Sequence, residues 1–176
     1  MKIFINPGHG GEDPGACGNG LKERDVVLKI GRRVADYLRK VNYDVKLAQI
    51  DGLQEICDAS NNWGANLFVS IHCNSFNSRA KGTETFYYQF SAAGKKLADC
   101  IQRQIVSSLG TVDRGLKTKL SSGYDVTVTK YTDCPAVLVE TAFIDNETDA
   151  ALLRNRQDDF ARAIARGVTD YVGGAA

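Results

Sequence analysis

No stretch of the sequence is long and apolar enough to cross a membrane, since a spanning helix needs about 20 apolar residues. An excess of one charge is also missing, because the formal net charge is +1 and no basic stripe runs along the chain. This balance argues against nucleic acid as the main partner. Internal repeats and low-complexity tracts are absent as well, so nothing in the sequence indicates a repeat architecture.

The amino terminus lacks the pattern of a signal peptide, because the apolar run between Lys2 and Asn6 is too short. We therefore expect synthesis in the cytosol without a leader, or an extracellular protein from which a leader has been removed. The five cysteines are odd in number and widely spaced, and no two of them form a CxxC pair. This usage predicts reduced thiols rather than a disulfide framework.

The composition is typical of one globular domain. The chain has 176 residues, of which 43% are hydrophobic and 24% are charged, so a single core large enough to fold alone is expected. We assign that domain to residues 1–172. The closing Gly173-Gly174-Ala175-Ala176 is expected to be the start of a linker or an added tail.

Short apolar runs alternate with amphipathic stretches along the chain, which predicts an α/β fold. Strands are predicted at residues 2–6, 43–47, 67–71, 83–90 and 136–139, with an extra strand at 126–128. Helices are predicted at residues 23–40, 52–63, 91–109, 146–154 and 157–172, whereas 111–125 has no readable pattern. The alternation implies a single domain with a mostly parallel twisted sheet of about six strands and helices on both faces.

Two histidines follow predicted strands, and they are the only histidines in the chain. His9 lies in the glycine-rich loop 7–20, and His72 follows the strand at 67–71. Glu140 follows the strand at 136–139 in the same way. Because ligands of open α/β sheets bind beyond the carboxyl ends of the strands, we expect these three side chains at one edge of the sheet.

Two histidines at one sheet edge indicate a zinc site, because hydrolytic zinc usually has three His or carboxylate ligands and one water. Among the six glutamates, Glu23 is the best third ligand, since it begins the predicted helix 23–40 at that edge. Glu140 then has the role of general base, which takes a proton from the attacking water. Glu84 is a weaker candidate for that role or for a supporting one, and Asn74 is a candidate brace for the neighbouring loop.

Each of these residues also has an interpretation without catalysis. His9 can be a loop histidine, His72 a core histidine, Glu23 a surface helix residue and Glu140 a salt-bridged carboxylate. Cys73 could instead be read as a thiolate ligand or nucleophile. Neighbouring residues on a strand point to opposite faces, however, so Cys73 and His72 do not easily reach one ion.

Four segments in this order and spacing carry a family resemblance. They are Gly8-His9-Gly10-Gly11, Leu21-Lys22-Glu23, Val69-Ser70-Ile71-His72-Cys73-Asn74 and Val139-Glu140-Thr141-Ala142-Phe143-Ile144-Asp145-Asn146. Together they resemble the zinc-dependent N-acetylmuramoyl-L-alanine amidases of bacterial cell-wall lysis. The resemblance implies one Zn²⁺ per chain held by His9, Glu23 and His72, with Glu140 as the catalytic glutamate. The implied reaction cuts the amide between the lactyl group of N-acetylmuramic acid and the first L-alanine of the stem peptide.

The sequence departs from the family pattern at a few positions. Leu47-Ala48-Gln49 stands where the second strand often ends in Thr-Arg, and Ala142 stands where glycine is common. In the second helix, Ile56, Cys57 and Ser60-Asn61 occupy the region where an arginine usually precedes an Ala-Asn pair. These changes affect local salt bridging and substrate positioning rather than the metal site.

The resemblance also sets expectations for the biological setting. It implies peptidoglycan as substrate, a monomer, and room for a C-terminal wall-binding domain beyond this chain. A phage endolysin that reaches the wall through holin-made holes or lysis fits, as does an autolysin or a spore-associated lysin. The alternatives are a zinc peptidase that cuts a stem-peptide bond and a non-catalytic wall-binding module.

A cluster of basic residues lies before the last strand, in the segment without a readable pattern. Its members are Arg114, Lys117 and Lys119. A solvated loop is the simpler interpretation of such a charge cluster. The functional hypothesis is a basic wall that meets carboxylates of the stem peptide.

Overall fold

The computed structural model describes residues 1–123 and 126–174. The end of the segment 111–125 and the last two residues of the expected tail lie outside the described residues. The strands are β1 Lys2–Pro7, β2 Cys17–Gly18, β3 Leu21–Lys22, β4 Asp44–Leu47, β5 Leu67–Asn74, β6 Thr83–Tyr87, β7 Asp113–Lys117 and β8 Ala136–Phe143. The helices are α1 Glu23–Lys40, α2 Leu53–Trp63, α3 Ala92–Leu109, α4 Lys119–Ser122, α5 Thr127–Lys130, α6 Glu147–Asn155 and α7 Gln157–Val172. None of the described helices is both long and apolar enough to span a bilayer.

Six of the strands form one sheet in the order β4-β1-β5-β8-β6-β7. Strands β4, β1, β5 and β8 pair in parallel, whereas β6 pairs antiparallel with β8 and parallel with β7. The mostly parallel six-stranded sheet predicted from the sequence is therefore confirmed. The short strands β2 and β3 pair with each other inside the glycine-rich loop, and the sequence pattern did not reveal them.

Helices cover both faces of the sheet, as predicted. Leu67, Val69 and Ile71 of β5 share one core with residues of α1, α3 and α7. Phe68 lies between them in the chain and belongs to the other core, which contains residues of α2 and α5. Because alternate strand residues point to opposite faces, His72 lies on the same face as Phe68. The helices α2 and α5 therefore flank the candidate site.

Helix boundaries agree closely with the sequence pattern where capping and burial coincide. α1 covers residues 23–40 as predicted, and its buried stripe includes Val26, Ile30 and Val34. α3 begins after Ser91, whose side chain accepts a hydrogen bond from the backbone of Gly94 at 2.9 Å. This is the N-cap that the sequence predicted.

Two strands are longer than predicted. β5 continues past its expected end to Asn74, and β8 continues to Phe143, because the two strands pair directly along this extension. His72 and Glu140 therefore lie within paired strands rather than after them. Polar residues remain in the ladder here because a neighbouring strand satisfies their backbone groups.

The extra strand predicted at residues 126–128 is wrong. Residues Thr127–Lys130 form the helical turn α5, and Val128 packs in the same core as Phe68. The alternation of β-branched residues favoured a strand, but burial against the sheet determines the conformation of this short segment. The strand predicted to reach residue 90 also ends earlier, at Tyr87.

Close packing between α3 and α7 depends on Gly167. A Cβ atom built on Gly167 would lie 2.5 Å from the Cα atom of Ile101, a backbone atom that cannot yield by a side-chain rotation. We expect Gly167→Ala to lower the free energy of unfolding by about 1–3 kcal/mol through overpacking. The loss persists although alanine favours a helix by about 1 kcal/mol over glycine. Chemical denaturation of the folded domain measures the change.

Exposed Ser108 on α3 provides the control for this substitution. Ser108→Ala adds no contact with α7, so its free energy of unfolding should stay within about 0.5 kcal/mol of the parent. Equal stability of the Gly167→Ala variant and the parent would show that the two helices can separate without cost.

Candidate metal centre

Three side chains from different parts of the chain converge at one edge of the sheet. They are His9 from the loop after β1, Glu23 at the start of α1, and His72 from β5, and one ligand atom from each lies within 4.8 Å of the others. The carboxylate of Glu23 lies between the two rings, with Oε2 2.9 Å from His9 Nε2 and Oε1 2.9 Å from His72 Nδ1. The structure thus brings together the three residues that the sequence analysis selected as ligands.

Glycines make room for this cluster. A Cβ atom on Gly8 would overlap the ring of His72, and one on Gly15 would lie 2.7 Å from Glu23 Oε2. The backbone amide of Gly8 also donates to the carbonyl oxygen of Ile71 at 2.9 Å, which fixes the loop to β5. The glycine-rich stretch therefore lets the backbone pass close to the cluster without filling it.

Glu23 is buried, and both of its carboxylate oxygens accept hydrogen bonds. Its side chain accepts hydrogen bonds from the backbone amides of Ala16 and Cys73, each at 2.9 Å. Burial alone would raise its pKa, but the hydrogen bonds from His72 and His9 outweigh burial and lower the pKa to about 2. The cluster therefore contains a fixed negative charge, as a site for a cation requires.

The same contact changes the protonation of His9. The hydrogen bond to Glu23 raises the pKa of His9 to about 9, although burial opposes the shift. In the metal-free protein the ring is therefore protonated at neutral pH. A metal ion that binds the cluster must displace this proton, so its affinity weakens as the pH falls below the pKa of His9.

Asp13 holds the other nitrogen of His9. Its Oδ2 atom is 2.6 Å from His9 Nδ1, and its Oδ1 atom accepts from the backbone amide of Gly15 at 2.9 Å. A hydrogen bond at Nδ1 directs Nε2 towards Glu23 and leaves Nε2 as the nitrogen that could bind a metal ion. The sequence analysis did not identify Asp13, because only the loop geometry brings its carboxylate to the ring.

Gln49 lies in the segment where the sequence departs from the Thr-Arg of the family pattern. Its side-chain Nε2 donates to the carbonyl oxygens of Gly8 and Arg24, both at 3.0 Å. The amide thereby links the loop that precedes His9 to the first turn of α1, which carries Glu23. The neutral residue at this position still braces the metal-site loop.

Glu140 lies in the middle of a row of three titratable side chains. β8 is between β5 and β6, and Glu140 is in register with His72 on one side and Glu84 on the other. Its Oε2 atom is buried and has no hydrogen-bond partner among the described residues. In the metal-free protein, burial and then the charges of Glu23 and Glu84 raise the pKa of Glu140 well above its usual value.

Glu84 is held by other side chains. Its Oε1 atom accepts from Asn74 Nδ2 at 2.7 Å, and its Oε2 atom accepts from Arg114 Nε at 2.8 Å. Lys117 Nζ lies 4.0 Å from the same Oε2 atom. With both oxygens engaged, Glu84 fits a supporting role better than that of a base. Asn74 also braces the following loop through the backbone of Ser75, as the sequence suggested.

Two clefts meet at Glu140. The metal-side cleft, lined by His9, His72 and Glu140 among others, has a volume of about 440 Å³. The basic cleft, lined by Glu84, Arg114 and Lys117 as well as Glu140, has a volume of about 380 Å³. Leu138 and Val126 also line both clefts. A substrate that spans the two clefts therefore crosses the Glu140 carboxyl.

Lys119 does not belong to the basic cleft. It lines a smaller pocket beside Tyr88 and Phe90. Of the three residues in the hypothesised basic wall, the structure therefore places Arg114 and Lys117 together and Lys119 apart.

Cys73 lies on the face of β5 opposite His72. Its Sγ atom is 3.5 Å from Thr141 Oγ1, and burial raises the pKa of the thiol well above its usual value. A buried, protonated thiol directed away from the cluster is neither a ligand nor a nucleophile at this site. All five cysteines are free thiols in the structure.

Comparison with known proteins gives consistent matches over nearly the whole chain. The sequence matches the family Amidase_3, described as N-acetylmuramoyl-L-alanine amidase, over residues 3–170. It is 42% identical over 179 residues to N-acetylmuramoyl-L-alanine amidase LytC of Bacillus subtilis, covering 96% of this chain and 35% of LytC. It is 38% identical over 177 residues to the endolysin of Bacillus phage SPP1, covering 94% of this chain and 62% of the endolysin. The chain therefore spans only part of these relatives.

Solved structures show the same fold. The N-acetylmuramoyl-L-alanine amidase AmiC2 of Nostoc punctiforme superposes with a TM-score of 0.89 at 33% identity, covering 98% of this chain and 97% of that one. The N-acetylmuramoyl-L-alanine amidase of Clostridium difficile 630 superposes with a TM-score of 0.90 at 30% identity, covering 99% and 98%.

Proposed function

The chain belongs to the Amidase_3 family of N-acetylmuramoyl-L-alanine amidases, and we propose that it hydrolyses the amide bond between N-acetylmuramic acid and L-alanine in bacterial peptidoglycan. The observation that carries this proposal is the convergence of His9, Glu23 and His72 near the carboxyl group of Glu140, whose buried Oε2 atom has no hydrogen-bond partner among the described residues. The proposed catalytic unit is residues 1–172, and its proposed place of action is the bacterial cell wall.

The proposed metal is one Zn²⁺ held by His9, Glu23 and His72. Two imidazole nitrogens and a carboxylate oxygen form a ligand set that catalytic zinc uses, with a further position left for water. Glycine at positions 8 and 15 keeps the space beside the cluster open, because a Cβ atom on either residue would overlap the proposed ligands. When bound, zinc lowers the pKa of a water molecule and polarises the carbonyl group that is attacked.

Glu140 is the proposed general base. Its side chain lines both clefts, where its carboxyl group can take a proton from the attacking water. The same carboxyl group then delivers that proton to the alanine nitrogen as the amide bond breaks, so the proton balance closes on one carboxyl group. The neighbouring Glu84, held by Asn74 and Arg114, supports the site and keeps its own oxygens occupied.

Digestion of purified peptidoglycan tests the proposed function. We expect new L-alanine amino termini and intact stem peptides, with activity lost in the presence of a chelator and restored by Zn²⁺. A zinc peptidase would instead release amino termini from within the stem peptide. A non-catalytic wall-binding module would clear a peptidoglycan zymogram under neither condition.

A further inference from the structure

We propose that the basic cleft is the subsite for the stem peptide and that Lys117, beside Arg114, binds the carboxylate of the residue that follows L-alanine. This inference rests on the proposed function and adds the direction in which the substrate lies across the two clefts. It also adds a chemical preference, which is for a free carboxylate over its amide at that position of the stem.

The order of the strands determines the direction. β8 lies between β5 and β6, so a line from His72 through Glu140 continues to Glu84 and the basic cleft. Glu140 must reach the leaving alanine nitrogen to protonate it. The attacked carbonyl therefore lies on the His72 side of Glu140, and the alanine and the rest of the stem extend over the basic cleft.

The charges of the two clefts favour the same direction. The metal-side cleft is lined by the carboxylates of Asp13 and Asp51, which would repel an acidic peptide. Among the described residues that line the basic cleft, Arg114 and Lys117 face one carboxylate besides Glu140, that of Glu84, which leaves one positive charge in excess. The two cations of the basic cleft therefore complement a stem peptide that bears carboxylates.

The two cations have different degrees of freedom. Arg114 donates through Nε to Glu84 at 2.8 Å, and its guanidinium lies 4.9 Å from the centre of the Phe143 ring. Its terminal nitrogens make no hydrogen bond within residues 1–123 and 126–174, so they remain free donors. Lys117 Nζ is 4.0 Å from Glu84 Oε2. The fixed guanidinium of Arg114 and the less constrained ammonium of Lys117 can together donate hydrogen bonds to one carboxylate placed between them.

Two synthetic muropeptides test this subsite. Both contain N-acetylmuramic acid and L-alanine, followed by D-glutamate in one and D-isoglutamine in the other. In both, the γ-carboxyl group is joined in a peptide bond to the next stem residue, so only the α-carboxylate or its amide differs. We expect the parent enzyme to have a KM about tenfold lower for the acid, since a charge-assisted hydrogen bond at a partly exposed site contributes on this order. Lys117→Met should raise KM for the acid about tenfold with little change in kcat and leave the amide unaffected, whereas Lys117→Arg should retain the preference.

Lys119→Met is the matched control, because it removes the same charge from the neighbouring pocket. If this variant raises KM for the acid as much as Lys117→Met does, the effect is general electrostatics and the subsite is wrong. Equal KM values for the two muropeptides in the parent and in Lys117→Met would also overturn it. If the parent enzyme cuts neither muropeptide nor peptidoglycan at the lactyl–alanine bond, the proposed function itself fails.

Discussion

Glu140→Gln is expected to lower the turnover of peptidoglycan by about 10²–10⁴-fold, the usual contribution of a positioned general base. The substitution keeps the size and shape of the side chain but removes its ability to take a proton. His9, Glu23 and His72 are unchanged, so the variant should bind Zn²⁺ with the stoichiometry of the parent. Initial rates on peptidoglycan, together with metal content by elemental analysis, measure both halves of this prediction.

Glu140 is partly buried, so its substitution calls for a stability control. Its Oε2 atom has no hydrogen-bond partner among the described residues, so a glutamine amide placed there brings a donor that also lacks one. That unsatisfied group should cost about 1–3 kcal/mol of folding free energy. Thermal unfolding therefore accompanies the assay, and Glu147→Gln at an exposed position on α6 supplies the same chemical change without consequence. Full activity of a zinc-loaded Glu140→Gln variant would shift the assignment of the base to Glu84.

Much of the fold could be predicted because apolar periodicity and burial agree. In α1, the buried stripe repeats at Val26, Ile30 and Val34, and the structure has the boundaries that this pattern predicts. β5 is buried on both faces and therefore has a continuous apolar run, which is typical of a central parallel strand. In such segments the local pattern and the tertiary environment impose the same conformation.

The prediction fails where a segment depends on its neighbours. β7 covers Asp113–Lys117, an edge strand whose side chains are only partly buried and which pairs with β6 alone. Its sequence Asp-Arg-Gly-Leu-Lys has no apolar alternation, so no periodic signal existed to detect. In α5, the opposite occurs, since an alternating pattern is overridden by packing of Val128 into the core.

Some residues of the candidate site could likewise be predicted from the sequence, whereas others could not. The three residues of the candidate metal cluster could be selected from the sequence because the chain has only two histidines and both follow apolar runs. Asp13 and the Glu84–Arg114 ion pair could not be assigned, because their roles depend on a loop turn and on strand order. A carboxylate that contacts the second ring nitrogen of a histidine leaves no periodic signal in the sequence. Only the folded geometry shows such a contact.

Glu23→Gln is expected to abolish stoichiometric zinc binding and to lower activity by about 10³-fold or more, since metal catalysis contributes several kcal/mol to the barrier. The Glu23 carboxylate lies within 2.9 Å of a nitrogen on each histidine and carries the only negative charge in the three-residue cluster. A glutamine has one acceptor oxygen, so it cannot accept from both Ala16 and Cys73 as the carboxylate does. Zinc affinity is measured by competition with a chromophoric chelator.

Glu12→Gln is the control for this loss, because Glu12 is an exposed carboxylate in the same glycine-rich loop. It removes an equal charge close to the site, so any long-range electrostatic effect on the ion should be common to both variants. Parental zinc affinity in Glu23→Gln would refute the ligand assignment. The two glutamate variants at the site also separate its two functions, since Glu140→Gln should retain the metal without turnover whereas Glu23→Gln should lose both. A site in which Glu140 were the ligand and Glu23 the base would give the reverse pattern of metal content.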